Sequence, residues 1–156
     1  DPTESLAPET GHEGLVVLRS LGKFFGLAGL RAGLMFGPEA LCNQLRTRLG
    51  PWAISHPARY LMARALEDVS WQRDAAERLQ HQSRRLVGLL RESGVEPAGS
   101  TSLFVYCPHR AAQAIADKLA SQAVLVRRFE EPAALRFGLP GSETQWQQLE
   151  QALSKL

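Results

Sequence analysis

The 156-residue sequence is poor in cysteine, long apolar runs and net charge, and these absences argue against several classes of function. It has 2 cysteines, Cys42 and Cys107, whose separation favours free thiols in a reducing cytoplasm; a disulfide between them stays open but has no support. No apolar run approaches the roughly 20 residues of a membrane span. The formal net charge is only +2, which does not indicate binding to nucleic acid or to an anionic membrane. The 4 histidines do not fall at metal-site spacings.

Lysine is also scarce, since 3 lysines stand against 15 arginines. One of them, Lys23, lies inside an apolar, glycine-rich segment, where a solvated surface lysine without a role is less expected. The run at residues 14–18 predicts a buried strand, and Ser20, Lys23 and Arg31 follow it in a turn-rich loop. The ends of strands are where α/β proteins bind ligands. The loop is therefore a candidate binding site.

The three side chains of this loop suit one cofactor. A lysine amine forms a Schiff base with an aldehyde, and an arginine with a serine hydroxyl can hold a phosphate. Pyridoxal phosphate carries both groups. The alternative interpretation is an ordinary connection with a solvated lysine. The Ser20-x-x-Lys23 spacing also occurs in penicillin-binding enzymes, but their S-D-N and K-T-G partners are missing here.

The run LVVLRSLGKFFGLAGLRAGLMFG resembles the cofactor-lysine segment of the fold-type I pyridoxal-phosphate enzymes, the class I/II aminotransferase family. The family pattern is Ser/Thr-x-x-Lys followed by Gly-Leu-Arg-x-Gly, and this sequence matches it at Ser20, Lys23, Gly29, Leu30, Arg31 and Gly33. The resemblance implies that Lys23 binds the aldehyde of pyridoxal phosphate covalently. It implies that Ser20 and Arg31 bind the cofactor phosphate.

Further segments resemble one branch of that family, the threonine-phosphate decarboxylases of cobalamin biosynthesis, which are related to histidinol-phosphate aminotransferases. These segments are SLAP at residues 5–8, PWAIS at residues 51–55 and VLVRRF…LRFGLP within residues 124–140. The resemblance implies decarboxylation of L-threonine O-3-phosphate. Transamination of the histidinol-phosphate type is the alternative, because both reactions can use nearly the same residues.

Two arginines lie on apolar, strand-like runs, where an unpaired buried charge would be costly. From the pattern alone, Arg127 and Arg136 could equally be surface arginines at a strand edge. The resemblance implies that Arg136 binds the substrate carboxylate and that Arg127 faces the substrate phosphate. A slip of one residue would exchange Arg127 for Arg128 and turn the side chain to the other face.

The predicted fold class is α/β. The resemblance implies the C-terminal part of a cofactor-binding large domain at residues 1–70 and a small α/β domain at residues 71–156. Family enzymes are more than twice this length and dimeric. We therefore expect a C-terminal portion of a longer homodimeric enzyme, inactive by itself. A non-enzymatic, self-associating module is the alternative.

Local signals predict several element boundaries. Ser70 is a candidate N-cap for a long helix over residues 71–92, and Ser142 for a helix over residues 143–155. Two strands are predicted at residues 123–129 and 134–138. With a strand at residues 102–107 and a helix at residues 111–121, the last elements form a β-α-β-β-α arrangement, which fits a small α/β layer.

Overall fold

The computed structural model describes residues 5–156, which divide into two compact units, one up to Val69 and one from Ser70 on. Residues 1–4 of the predicted first domain lie outside the described residues. The division lies one residue from the predicted domain boundary. The chain mixes helices and strands, as the α/β prediction requires.

The first unit contains a two-stranded antiparallel sheet followed by two helices. Strand β1 is Val17–Ser20 and strand β2 is Gly33–Phe36, with Ser20 opposite Gly33. Helices α1 (Glu39–Leu49) and α2 (His56–Glu67) follow. Short 3-10 helices lie at Ala7–Glu9 and Ala28–Leu30. Ser55 begins α2 as its N-cap, because its Oγ accepts a hydrogen bond from the Ala58 N–H at 3.3 Å.

The prediction of a buried strand at residues 14–18 is wrong in burial and in its bounds. Strand β1 begins at Val17, and Leu18 is 76% exposed. The sheet formed by β1 and β2 has two strands among the described residues, so an apolar sequence here gains little cover. The apolar character of a run does not by itself bury it.

The second unit places helices against one face of a four-stranded antiparallel sheet with the order β3-β4-β6-β5. Its helices are α3 (Val69–Glu92), α4 (Ala112–Ala120) and α5 (Glu143–Leu153). Its strands are β3 (Gly99–Ser100), β4 (Phe104–Pro108), β5 (Arg127–Phe129) and β6 (Ala134–Gly138). The core lies between helices and sheet and contains buried residues from β4, β6 and all three helices, among them Leu86, Leu90, Val105, Cys107, Leu119, Leu135, Phe137, Trp146 and Leu153.

A side-chain cap begins one helix of this unit. Ser142 is the N-cap of α5, as predicted, since its Oγ accepts from the Gln145 N–H at 3.3 Å. Ser70 is not an N-cap. Asp68, with φ −79° and ψ 75°, is the residue that separates α2 from α3, so Ser70 falls inside the first turn of α3.

The strand predicted at residues 123–129 is shorter in the structure. Ala123 has φ +59°, the left-handed conformation that ends helices rather than continuing strands. The N–H of Val124 bonds to the Leu119 carbonyl at 3.0 Å, which completes the end of α4. Pairing with β6 therefore begins only at Arg127. The β6 prediction, residues 134–138, is confirmed.

Candidate cofactor and substrate site

The connection between β1 and β2 carries three predicted site residues: Ser20, Lys23 and Arg31. Ser20 is the last residue of β1, and its Oγ accepts a hydrogen bond from the Gly22 N–H at 3.0 Å. That bond fixes the direction of the side chain and leaves the hydroxyl proton available for an acceptor. Ser20 is exposed, so an anion can reach it.

Lys23 begins a tight turn in this connection. Its carbonyl accepts a hydrogen bond from the Gly26 N–H at 2.9 Å, and Gly26 has φ +67°. A residue with a side chain would be strained at that φ, which explains the glycine. The Lys23 side chain is exposed in the structure, although its neighbours Phe24 and Phe25 are half-buried and buried. Turn chemistry thus fixes the backbone of the lysine and leaves its amine accessible.

Close folding around Gly22 also depends on the lack of a side chain. A Cβ at this position would lie 3.1 Å from the Ala28 Cα and 3.4 Å from the Ser20 Oγ. The loop after β1 is therefore packed tightly against the 3-10 helix at Ala28–Leu30. A larger residue at Gly22 would press on the Ala28 backbone and force the loop to shift.

Arg31 follows that 3-10 helix in a left-handed conformation, with φ 50° and ψ 36°. This conformation costs a non-glycine residue about 1–2 kcal/mol, and such strain often occurs at functional sites. Its Nη1 donates to the Ala28 carbonyl at 3.3 Å. Within residues 5–156, no carboxylate forms an ion pair with Arg31 or Lys23. Their charges are available to an anionic ligand.

This donor set fits pyridoxal phosphate. A guanidinium and a hydroxyl, such as those of Arg31 and Ser20, can hold a phosphate ester, and an amine, such as that of Lys23, can bind an aldehyde. The described residues contain no cluster of histidine, cysteine and carboxylate side chains suited to a metal ion. Cys107 is a poor candidate nucleophile, because burial raises the pKa of its thiol to about 11.

The other two predicted residues, Arg127 and Arg136, lie directly opposite each other on β5 and β6. Arg136 also lies opposite Tyr106 of β4. Side chains alternate between the faces of a sheet, and the neighbours of Arg136 on β6 point into the core. Arg127 and Arg136 therefore share the face away from the core, here called the outer face and formed by Phe104, Tyr106, Arg127, Phe129 and Arg136.

The register distinguishes Arg127 from Arg128. Arg128 lies opposite the core residue Leu135, on the other face, and its Nη2 forms an ion pair with Glu130 at 2.9 Å. Arg127 has no ion-pair partner among residues 5–156. Of the two candidates, Arg127 is the one that shares a face with Arg136. The loop residues and the two arginines belong to different units.

Sequence reasoning missed the aromatic residues of the outer face. The Arg136 guanidinium lies 4.3 Å from the ring centre of Phe104, and the rings of Tyr106 and Phe129 meet edge to face at 5.9 Å. The signal was the alternation of aromatic residues at 104 and 106, which places both on the face of Arg136 once the strand register is known.

Comparison with known proteins identifies the family. The model for "Aminotransferase class I and II" matches residues 3–156. The chain belongs to this family. Threonine-phosphate decarboxylase of Pseudomonas aeruginosa is 45% identical over 97% of this chain and 46% of that protein. The protein of the same name from Sinorhizobium sp. is 35% identical over 100% and 47%. Histidinol-phosphate aminotransferase 1 of Archaeoglobus fulgidus is 33% identical over 74% and 35%.

Solved structures agree on the fold. Histidinol-phosphate aminotransferase from Clostridium acetobutylicum superimposes with a TM-score of 0.88 at 20% identity, over 99% of this chain and 50% of that one. The enzyme from Sinorhizobium meliloti, solved in complex with pyridoxal-5'-phosphate, gives 0.77 at 23% identity, over 90% and 40%. This chain spans about half the length of the curated relatives it matches. The predicted α/β fold class is confirmed.

Proposed function

We propose that this protein binds pyridoxal phosphate on the β1–β2 connection. Lys23 would bind the cofactor aldehyde, and Arg31 and Ser20 would hold its phosphate. The support is their fixed backbone, their accessibility and their match to the family pattern. When bound, the cofactor supplies an electron sink for a bond broken at the substrate Cα. The protein's own part is to bind, orient and hold charge.

Arg127 and Arg136 suit a substrate with two anionic groups. Two like charges directly opposite each other on neighbouring strands destabilise a sheet. A ligand that brings a carboxylate and a phosphate to these guanidinium groups relieves that repulsion through charge-assisted hydrogen bonds. We propose that Arg136 binds the carboxylate and Arg127 the phosphate of a phosphorylated amino acid.

The reaction we propose is decarboxylation of L-threonine O-3-phosphate, as a step of cobalamin biosynthesis. One observation carries this choice over the alternative. Identity is 45% and 35% to two proteins named threonine-phosphate decarboxylase over nearly the whole chain, whereas it is 33% over 74% of the chain to a histidinol-phosphate aminotransferase. The alternative is transamination of the histidinol-phosphate type, in which the same arginines would hold the substrate in a different orientation.

We also propose that the protein acts in the cytoplasm as a homodimer, with neither nucleic acid nor membrane as a partner. The two cysteines are free thiols, as in reducing compartments. No helix in the described part of the chain is long and apolar enough to cross a membrane. Self-association without catalysis is the competing proposal, and light scattering combined with an activity assay distinguishes the two.

The test is product analysis on the protein expressed from its complete reading frame. With pyridoxal phosphate and L-threonine O-3-phosphate, we expect release of carbon dioxide and an aminopropanol phosphate. Formation of a keto acid from an amino donor, without carbon dioxide, would instead assign the aminotransferase reaction. A dimer with neither activity would leave the self-associating module.

A further inference from the structure

Arg136 is the most enclosed of the charged groups on the outer face. It is half-buried, and its guanidinium carbon lies 4.3 Å from the ring centre of Phe104 and 6.0 Å from that of Phe129. Among residues 5–156 no carboxylate forms an ion pair with this guanidinium, which lies over these two rings. Its orientation therefore depends on aromatic contacts.

The strand register explains how the Phe104 ring reaches Arg136. Phe104 lies opposite Gly138, and Tyr106 lies opposite Arg136, so Phe104 and Arg136 are diagonal neighbours on one face. Diagonal neighbours are close enough for aromatic and long side chains to touch. Because Gly138 has no side chain, nothing from the facing position prevents the ring from leaning along the strand towards Arg136.

Contact with a ring face has a directional effect on a guanidinium. The five N–H donors of arginine lie in the plane of the group, so stacking on a ring leaves all of them free at its edge. The contact also restricts rotation of the long side chain and offsets part of the repulsion from Arg127 across the strand pair. A guanidinium held over a ring is thus restrained before an anion arrives.

We infer that Phe104 is a positioning residue for Arg136: its ring holds the guanidinium so that the N–H edge is presented to the substrate carboxylate. This inference rests on the proposed function, which assigns the carboxylate to Arg136. Phe104 itself does not bind the carboxylate, since a phenyl ring carries no donor.

The kinetic test compares ligands with and without a carboxylate, using the protein from its complete reading frame. Phe104→Leu is expected to lower kcat/KM for L-threonine O-3-phosphate about 3- to 10-fold, the range of a cation–π contact. It should leave the inhibition constant of aminopropanol phosphate, which lacks the carboxylate, within about 2-fold. Phe104→Tyr keeps the ring face and should retain the wild-type kcat/KM for L-threonine O-3-phosphate. Equal weakening of both ligands, or no weakening, would overturn the inference.

A matched control is Phe137→Leu, on the same sheet but on its core face. Its side chain points to the opposite face from that of Arg136, so Phe137→Leu should lower stability without changing one ligand more than the other. If Phe137→Leu instead lowers kcat/KM for L-threonine O-3-phosphate as much as Phe104→Leu does and leaves the inhibition constant of aminopropanol phosphate unchanged, the inference is overturned. That result would show that Phe104 acts through general packing. If Phe104→Leu does not fold, Phe104→Met tests the same contact.

A second readout separates this inference from the proposed function. In nitrogen-15 NMR, the Arg136 Nε–H signal reports rotation about the bond to the guanidinium carbon, and Phe104→Leu should speed that rotation at least several-fold while Phe104→Tyr does not. Unchanged rotation overturns the positioning role whatever the reaction is.

Arg136→Gln tests the proposed function separately. If this variant weakens L-threonine O-3-phosphate and aminopropanol phosphate alike, Arg136 does not bind the substrate carboxylate, even if the Phe104 ring restrains the guanidinium.

Discussion

The two units of this chain stabilise their functional residues in different ways. Among the described residues, the first unit buries three apolar side chains almost completely, Leu21, Phe25 and Ala58, whereas the second buries fifteen. The first unit also exposes large apolar residues, with Trp52 78% and Leu18 76% exposed. The Lys23 loop is therefore held by turn hydrogen bonds, glycine conformations and the burial of its own Leu21 and Phe25, and the two arginines by a sheet with a larger packed core behind it.

This difference indicates which functional side chains are positioned by residues near them in the sequence and which are positioned by tertiary packing. A tight turn forms from a few neighbouring residues, so the loop can present Ser20, Lys23 and Arg31 with little core. Arg127 and Arg136 lie opposite each other only because β5 and β6 pair in one register, and the buried face of the sheet determines that register. Substitutions that remove a functional group, compared with substitutions that remove a buried side chain, can test this difference between the two units.

The largest effect is expected from Lys23→Ala. If the amine binds the cofactor, this variant of the protein from its complete reading frame should lose turnover to background and lose the visible absorbance of lysine-bound pyridoxal phosphate. Lys118→Ala in the second unit is the control, since Lys118 donates to the Leu156 carbonyl at the surface. Absorbance kept in Lys23→Ala, or lost in Lys118→Ala, would contradict the assignment.

The next effect tests the packing contrast directly. Phe137→Ala removes a fully buried side chain of the second unit and should lower the free energy of unfolding by about 3–5 kcal/mol. Leu18→Ala removes a mostly exposed side chain of the first unit and should change it by no more than about 0.5 kcal/mol. Urea denaturation measures both. Similar losses for the two variants would show that β1 is covered in solution.

Arg31 should show that charge alone does not replace a fork of donors. Arg31→Ala is expected to weaken pyridoxal-phosphate binding about 10-fold or more, as the loss of hydrogen bonds to a charged group implies, and Arg31→Lys should weaken it less. Fluorescence titration with the cofactor measures each affinity. The control is Arg136→Gln in the second unit, which should leave cofactor affinity unchanged. Equal affinity of wild type and both Arg31 variants would exclude phosphate contact.

The smallest effect concerns the ion pairs that join α3 to α5. Arg85 donates to Glu143 at 2.7 Å and 2.8 Å and to Glu150 at 3.0 Å. The hydrogen bonds from Arg85 to Glu143 lower the pKa of Glu143. A carboxyl with a lowered pKa stabilises the fold above its ordinary pKa of about 4.3, and that contribution is lost as the pH falls through the folded-state value.

Glu143→Gln should therefore lower the melting temperature slightly at pH 7 and reduce its fall between about pH 5 and pH 3. A pH profile of Glu143→Gln that follows the wild type would show that solvent screens the Arg85 pair fully.

Local patterns in the sequence determined much of this protein. Spacing predicted the loop residues Ser20, Lys23 and Arg31, and the N-cap at Ser142 followed from side-chain chemistry that acts within one helical turn. The family resemblance, which the comparisons confirm, added the cofactor and substrate roles, and those roles stay predictions.

Tertiary structure alone decided the features that depend on partners distant in the chain. Whether Arg127 or Arg128 faces Arg136 depends on strand pairing, because a shift of one residue reverses the face. The contact of Phe104 with Arg136 joins residues 32 positions apart in the sequence and could not be derived from either segment. The exposure of Leu18 likewise depends on what covers β1, since an apolar side chain is buried only where another element packs against it.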